Sequence, residues 1–201
     1  MLEKLSDKFA EKLIQTGVIS ESDADVYSFG FFQTVMLILN VITTLILGLA
    51  FQLFIPCIVL NLSYIPIRIC AGGHHADSPL KCYVYSAVDI IILLSILKWI
   101  PMHFSVTLIL IITAGVIIFI LSPVETENNP LDEMERQVYR KRTLFVLAIE
   151  IVVYVFLFIF FRYSQSLSAI SLGLFTEALM LLAGVFKNHI KKQKDVSEKT
   201  D

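Results

Sequence analysis

Six apolar runs divide this chain, and each comes close to the about 20 residues that a helix needs to cross a lipid bilayer. Only Gln52, Pro56 and Asn61 interrupt the first two runs, so the turn between them is expected to be tight. The pattern predicts an all-α integral membrane protein with six transmembrane helices. The predicted spans are Phe29 to Ala50, Phe51 to Ile67, Tyr83 to Leu97, Phe104 to Leu121, Leu144 to Phe161 and Leu167 to Phe186.

The start of the chain has a different pattern, in which apolar and charged residues share one helical repeat. Leu2, Leu5, Phe9 and Leu13 recur at helical spacing, with lysines and glutamates between them. This predicts an amphipathic interfacial helix over residues 1–16. Such a helix either lies flat on the membrane or packs on the cytosolic loops.

Composition agrees with a membrane protein and excludes some other classes. Hydrophobic residues make up 56% of the 201 residues and charged residues 17%, and the mean hydropathy is +0.76. One soluble core cannot hide so much apolar surface. A net charge of -2 gives no case for nucleic acid binding. The three cysteines have no paired spacing, so free thiols in a reducing compartment are expected.

The positive charges predict how the chain is oriented in the membrane. Fourteen of the sixteen lysines and arginines fall on the side of the termini, and only Lys98 and Arg162 fall on the other. Because lysine and arginine are enriched in cytosolic loops, the termini and both long loops are predicted to be cytosolic. We expect one polytopic membrane domain over residues 1–188. A polar cytosolic tail follows over 189–201, with disorder expected beyond Phe186.

The candidate chemistry lies between the second and third spans, in the segment RICAGGHHADSPLKC from Arg68 to Cys82. A thiol becomes a good nucleophile when an imidazole takes its proton or when its thiolate is stabilised. Ser78 and Pro79 predict a helix start, which places Cys82 in the first turn, where the helix dipole favours an anion. The two glycines before the histidines allow the loop to fold back toward this thiol.

Other interpretations of the same residues stay open. An interfacial histidine is often only a solvated or hydrogen-bonded residue, and a metal site would use His74, His75, Asp77 and Cys82 as ligands. Two other thiols compete with Cys82. Cys70 lacks a setting at a helix start, and Cys57 is expected to be buried in a span and inert.

Acidic residues within the spans are the second unusual feature. Ser86 and Asp89 share the helix face of Cys82, and we expect this face to look into the bundle, where Asp89 supports a polar pocket. Glu150 and Glu177 are expected to face inward for the same reason, since carboxylates are costly in hydrocarbon. Alternatively, these carboxylates pair with a span hydroxyl or with Arg162.

The motif resembles that of the accessory gene regulator B family, integral membrane cysteine endopeptidases that process quorum-sensing peptide precursors in Gram-positive bacteria. The resemblance includes the loop SPVETENNPLDEMERQVYRKR, from Ser122 to Arg142. It implies that His75 and Cys82 are catalytic and that Arg68 and Gly73 are needed for activity, with His74 in a supporting place.

The resemblance also implies a reaction. Cys82 would cleave the precursor and hold its N-terminal part as a thioester, and a cysteine or serine of the substrate would then close a thiolactone or lactone ring. The implied partners are the precursor peptide and the lipid bilayer, without nucleic acid, metal or cofactor; a homo-oligomer is compatible. The basic cluster that ends the second loop would dock the acidic end of the precursor, although topology-setting charges on a solvated loop have the same appearance. This cluster comprises Arg136, Arg140, Lys141 and Arg142.

Two functions from other classes remain as alternatives. The polar face of the spans suits a small transporter or peptide exporter without proteolytic activity, although the chain has no nucleotide-binding glycine loop and no inverted repeat. A membrane scaffold without chemistry would make the thiol and the histidines dispensable.

Overall fold

The computed structural model describes residues 2–73, 79–125, 131–161 and 164–198. These residues form seven α-helices and a short 3-10 turn, and no β-strand occurs among them. The helices are α1 Leu2–Gln15, α2 Ala24–Ala50, α3 Phe54–Ala71, α4 Pro79–Trp99, α5 Phe104–Leu121, α6 Glu133–Phe160 and α7 Gln165–Glu198.

Helices α2 to α7 account for the predicted spans. Each contains a stretch long and apolar enough to cross a membrane, which gives six candidate spans in the described residues. The prediction of an all-α multi-pass membrane protein is therefore confirmed. The tight turn between the first two spans covers Phe51 to Leu53, and Gln52 there has a positive φ of 60°.

The ends of α6 and α7 differ from the expected boundaries. Helix α6 begins before its apolar run because Asp132 and Glu135 form a reciprocal capping box at its start. The expected disorder beyond Phe186 is wrong, since α7 continues to Glu198. The residues after Phe186 are rich in lysine and include neither glycine nor proline, so nothing in them interrupts the helix.

The predicted amphipathic helix is present as α1, and it packs against the start of α2. The rings of Phe9 and Phe31 stack with centroids 4.3 Å apart. The Ser28 hydroxyl donates a hydrogen bond of 2.8 Å to the Asp7 carboxylate. These contacts fix α1 beside the first span, whereas its position on the membrane surface stays a prediction.

Helix α7 lies at the centre of the bundle and contacts α3, α4, α5 and α6. Small residues let it approach α3 closely. A Cβ added at Gly173 would lie 3.0 Å from the Leu60 carbonyl oxygen, and Ala169 and Ala178 are fully buried. Helices α2 and α4 pack beside this core, and the space between them and α3 contains the candidate site.

Candidate active site

Cys82 is the fourth residue of α4, which begins at Pro79 as the sequence predicts. It therefore lies in the first turn, where backbone N–H groups have no partner within the helix and the dipole favours negative charge. Its side chain is partly buried. The thiolate is the form in which a cysteine acts as a nucleophile, and in general the start of a helix favours an anion.

The thiol opens onto a cavity of about 430 Å³ between α2, α3 and α4, with Met180 of α7 also on its wall. Much of the wall is apolar, but polar side chains from all three helices reach it. The polar and ionisable residues of this lining, which we call the polar wall, are Gln33, Asn40, Thr44, Asn61, Tyr64, Arg68, Cys82, Tyr83, Tyr85, Ser86 and Asp89.

The polar wall is built from three helical rows. On α4, Cys82, Ser86 and Asp89 share one face, and the structure places all three on the cavity, as expected for that face. The rows on α2 and α3 were not identified from the sequence. Their signal was present, because Asn61, Tyr64 and Arg68 follow the same spacing of three or four residues in an otherwise apolar run.

Asp89 and Tyr64 make this cavity electrostatically unusual. In the described parts of the chain, the Asp89 carboxylate has no ion-pair partner. Tyr64 lies close enough to Arg68, Asp89 and Cys82 for their charges to act on its phenol group. Polar groups are costly within a membrane unless they face a cavity or each other, so the cavity suits a polar occupant such as a peptide backbone.

Arg68 connects the cavity to the segment that follows α3. Its Nη1 donates a hydrogen bond of 2.7 Å to the Gly72 carbonyl oxygen. The same nitrogen lies 3.8 Å from Oε2 of Glu177 on α7, and the Glu177 side chain is fully buried. The guanidinium therefore lies between the central helix and the backbone that leads to the histidines.

Gly72 and Gly73 occupy positions that no other residue type fits. Their φ angles are 77° and 109°, which L residues rarely adopt. A Cβ on Gly72 would lie 2.2 Å from the Val124 carbonyl oxygen, and a Cβ on Gly73 would lie 2.5 Å from Nη1 of Arg68. The chain can leave α3 in this direction only because both residues lack a side chain.

The same short segment is tied to the residues that follow α5. The Val124 N–H donates to the Ala71 carbonyl at 2.8 Å, and the Gly73 N–H donates to the Val124 carbonyl at 3.4 Å. The next residue, Glu125, forms an ion pair with Arg136. Two cytosolic loops of the predicted topology are thus joined beside the cavity.

Three candidate residues lie outside the described residues. His74, His75 and Asp77 fall in the segment 74–78, so the predicted base and the alternative metal ligands stay predictions. In the parts of the chain that are described, no group of three His, Cys, Asp or Glu residues is placed to hold a metal ion.

The two rival thiols lie apart from the cavity lining. Cys57 is fully buried, as expected for a thiol within a span, and its Sγ lies 3.4 Å from the Thr44 carbonyl oxygen. Cys70 is partly buried near the end of α3. Of the three sulfurs, that of Cys82 alone lines the polar cavity.

Three of the four residues in the basic cluster at the start of α6 have side-chain contacts with other described residues. Arg136 pairs with Glu125, and Arg140 donates to the carbonyl oxygens of Ser122 at 2.9 Å and Phe119 at 3.4 Å. Arg142 lies over the Tyr139 ring. Lys141 is exposed. None of the four basic residues lines the cavity.

The two remaining acidic residues of the spans face inward as expected. Glu150 is buried and lies near the Ser63 hydroxyl of α3, a span hydroxyl of the kind considered above. Glu177 is buried against Arg68, a partner that the sequence did not suggest.

The family model and the individual relatives that match this chain agree with each other. The sequence model of the family described as Accessory gene regulator B matches residues 6–181. Accessory gene regulator protein B of Staphylococcus carnosus is 34% identical over 110 residues, which cover 53% of this chain and 56% of that protein. Its counterpart in Staphylococcus aureus strain JH9 is 28% identical over 143 residues, covering 71% of this chain and 74% of that protein.

A more distant relative extends the matched region. An AgrB-like protein of Clostridium perfringens is 24% identical over 161 residues, covering 74% of this chain and 73% of that protein. No solved structure matches the chain. The family match includes the end of α3, the start of α4 and the loop before α6. The chain therefore belongs to the accessory gene regulator B family.

Proposed function

We propose that this protein is a membrane cysteine endopeptidase that cleaves a quorum-sensing propeptide and promotes cyclisation of the product. The observation that carries the proposal is the position of Cys82, at the start of a helix and on the wall of a polar cavity within the bundle. Family membership supports a role in quorum-sensing peptide processing. The proposed catalytic chemistry is instead argued from Cys82 and His75.

In the first step, the Cys82 thiolate attacks a carbonyl carbon of the precursor and forms a tetrahedral intermediate. His75 accepts the thiol proton and returns it to the leaving amine, so the C-terminal fragment departs as the peptide bond breaks. The products are an acyl-enzyme thioester and a free amine. Backbone N–H groups in the first turn of α4 would stabilise the oxyanion.

In the second step, a cysteine or serine side chain of the bound acyl segment attacks the thioester carbonyl. A ring thioester or ester forms, the bond to the Cys82 sulfur breaks, and the proton of the attacking group returns to that thiolate through His75. The thioester keeps the acyl group reactive, so the substrate side chain can close the ring without ATP. A site partly closed to water favours this attack over hydrolysis.

The covalent chain limits how far the proposed base can be from the cavity. His75 follows Gly73 by two residues, so their Cα atoms are at most about 7 Å apart. Gly73 lies against Arg68, which lines the cavity together with Cys82. This tether supports His75 as the base, with His74 as its neighbour in the same short segment.

The charges of the substrate suggest how it is oriented in the proposed complex. We assign the acyl segment to the cavity, where the carboxylate of Asp89 disfavours an acidic peptide. The acidic end of the precursor would then face the basic cluster at the start of α6, in which Arg136, Lys141 and Arg142 are exposed. Both parts lie on the cytosolic side if the termini are cytosolic, as the charge distribution supports.

The test is coexpression with a quorum-sensing peptide precursor that is tagged at its C-terminus. Cys82→Ala is expected to lower the release of the tagged fragment by more than about a hundred-fold, because the nucleophile is lost. Cys70→Ala is the matched control, since this second partly buried thiol lies outside the cavity. It should cleave at the normal rate at equal membrane levels.

Other outcomes identify the alternative functions. If Cys82→Ala releases the fragment normally, the endopeptidase assignment is wrong. Normal cleavage with loss of secreted peptide would instead indicate an exporter. If neither cleavage nor secretion changes, a scaffold without chemistry is the remaining interpretation.

A further inference from the structure

Glu177 is a buried carboxylate whose surroundings provide little compensation for its charge. It lies on the central helix α7 with no exposed surface. Within the described structure, neither of its side-chain oxygens has a hydrogen-bond partner. The nearest cation is the guanidinium of Arg68, with Nη1 at 3.8 Å from Oε2. A buried charge is stable only with a partner, so Arg68 and Glu177 depend on each other.

Arg68 uses the same nitrogen for a second contact. Nη1 donates a hydrogen bond of 2.7 Å to the Gly72 carbonyl oxygen. It also fills the space beside Gly73, where an added Cβ would lie 2.5 Å away. The guanidinium thus lies directly against the backbone that carries the chain from α3 toward the histidines. Its location determines where that backbone leaves the helix.

We infer that Glu177 is a positioning residue, which holds the Arg68 guanidinium against Gly72 and so fixes the direction in which the backbone leaves α3 toward the proposed base. This inference rests on the proposed function, because its main readout is cleavage. Glu177 does not line the cavity and touches no reacting atom. Its carboxyl group makes no hydrogen bond among the described residues, so the Arg68 guanidinium is the polar neighbour that the structure gives it.

A packing role alone would have different consequences. If the pair only joined α3 to α7, its loss would lower the stability of the bundle without a specific effect on the turnover of molecules that remain folded. If Glu177 positions the segment, folded molecules should bind the precursor normally and turn it over slowly. The separation of kcat from KM in purified protein distinguishes these two roles.

The experiment compares Glu177→Gln with Glu150→Gln in protein reconstituted in lipid nanodiscs, with the same tagged precursor. Both changes remove a buried carboxylate from neighbouring helices, but Glu150 lies near Ser63 rather than near Arg68. We expect Glu177→Gln to lower kcat by about ten-fold or more with KM unchanged within about two-fold, as for a displaced catalytic group. Glu150→Gln should retain the normal kcat.

A second readout needs no substrate. The rate at which N-ethylmaleimide alkylates Cys82, followed by mass spectrometry of the peptide, should change by at least about three-fold in Glu177→Gln because the neighbouring segment shifts. Glu150→Gln should alkylate at the normal rate. A Glu177→Gln protein with normal kcat and normal alkylation would overturn the inference.

If the Glu177→Gln protein does not accumulate in the membrane, Glu177→Asp tests the positioning role instead. It keeps the charge but withdraws the carboxylate from Arg68 by one carbon, so a smaller loss of kcat is expected. A folded aspartate variant with full kcat would contradict the inference. Failure of the proposed function looks different, since Cys82→Ala would then cleave normally whatever residue occupies position 177.

Discussion

At the scale of single residues, the direction of the chain after α3 depends on one carbonyl group and one guanidinium group. The Gly72 carbonyl accepts a hydrogen bond from Arg68, and the place beside Gly73 is filled by the same side chain. Both glycines have φ angles that favour the absence of a Cβ. The proposed base follows two residues later, so small changes here would move it relative to Cys82.

Gly73→Ala should therefore lower cleavage far more than an ordinary glycine substitution. The alanine would meet Arg68 at 2.5 Å and the Met180 carbonyl oxygen at 3.1 Å, with φ near 109°. Strain at such a position costs about 1–3 kcal/mol. A displacement of about 1 Å can lower the rate about a hundred-fold.

Gly115→Ala in α5 is the control for Gly73→Ala, because nothing lies within 4 Å of its added Cβ. The cleavage assay and thermal unfolding should show no loss for this change, since alanine favours helix. Equal cleavage by Gly73→Ala and Gly115→Ala would show that the shape of this segment is unimportant.

The sequence predicted the α4 wall of the cavity better than its α2 and α3 walls. Chemistry-bearing residue types and the helix start at Pro79 were enough to identify Cys82 and its row on α4. They did not identify the row on α3 or the pairing of Arg68 with Glu177. Helical periodicity shows which residues share a face, but only packing determines which faces of different helices meet.

At the scale of elements, the start of α6 stabilises the end of α5. Arg140 donates to two carbonyl groups at that end, and its guanidinium lies 5.8 Å from the centre of the Phe119 ring. Carbonyl groups in the last turn of a helix otherwise lack partners, and a cation favours that end of the dipole. Arg140 therefore has a structural role that its membership of a basic cluster did not indicate.

Two substitutions in this cluster distinguish a residue that stabilises the bundle from a residue that docks the substrate. Arg140→Ala should lower the stability of the bundle by about 1–3 kcal/mol through lost hydrogen bonds to a charged donor. Lys141→Ala should leave thermal unfolding unchanged and raise KM for an acidic precursor, because Lys141 is exposed. Thermal unfolding and cleavage kinetics measure the two effects. The docking proposal fails if Lys141→Ala has a normal KM.

The element boundaries that the sequence missed have simple causes. The predicted span began at Leu144 because the residues before it are charged, so the first turns of α6 were missed. The capping box of Asp132 and Glu135 marks the true start of the helix. Composition alone predicted disorder beyond Phe186, but α7 continues there. Asn188 on this extension donates a hydrogen bond of 2.9 Å to the Glu125 carbonyl oxygen, so tertiary contact also supports it.

At the scale of the whole molecule, the central position of α7 follows from its small residues rather than from its hydropathy. Helix α5 is more apolar, yet α7 is the helix that packs against α3, α4, α5 and α6. Ala169, Gly173 and Ala178 allow neighbouring backbones to approach it. The cavity lies to one side of this core, where α2 and α4 leave room beside α3.

The six spans and the positive charges together make a prediction about the two faces of the protein. With six crossings, α7 must end on the side where α2 begins, and fourteen of the sixteen lysines and arginines fall on that side. Because such charges are retained in the cytosol, Cys82 should also face the compartment that holds the precursor. The link between α4 and α5 should face outward.

Cysteines introduced at two exposed positions test this orientation. Pro101→Cys lies between α4 and α5, and Gln193→Cys lies on the extension of α7. A maleimide reagent that does not cross membranes should label Pro101→Cys in intact cells, and should label Gln193→Cys only after the cells are opened. The unchanged chain controls for its native thiols. Labelling of both positions from the same side would contradict the six-span topology, and with it the cytosolic placement of the proposed active site.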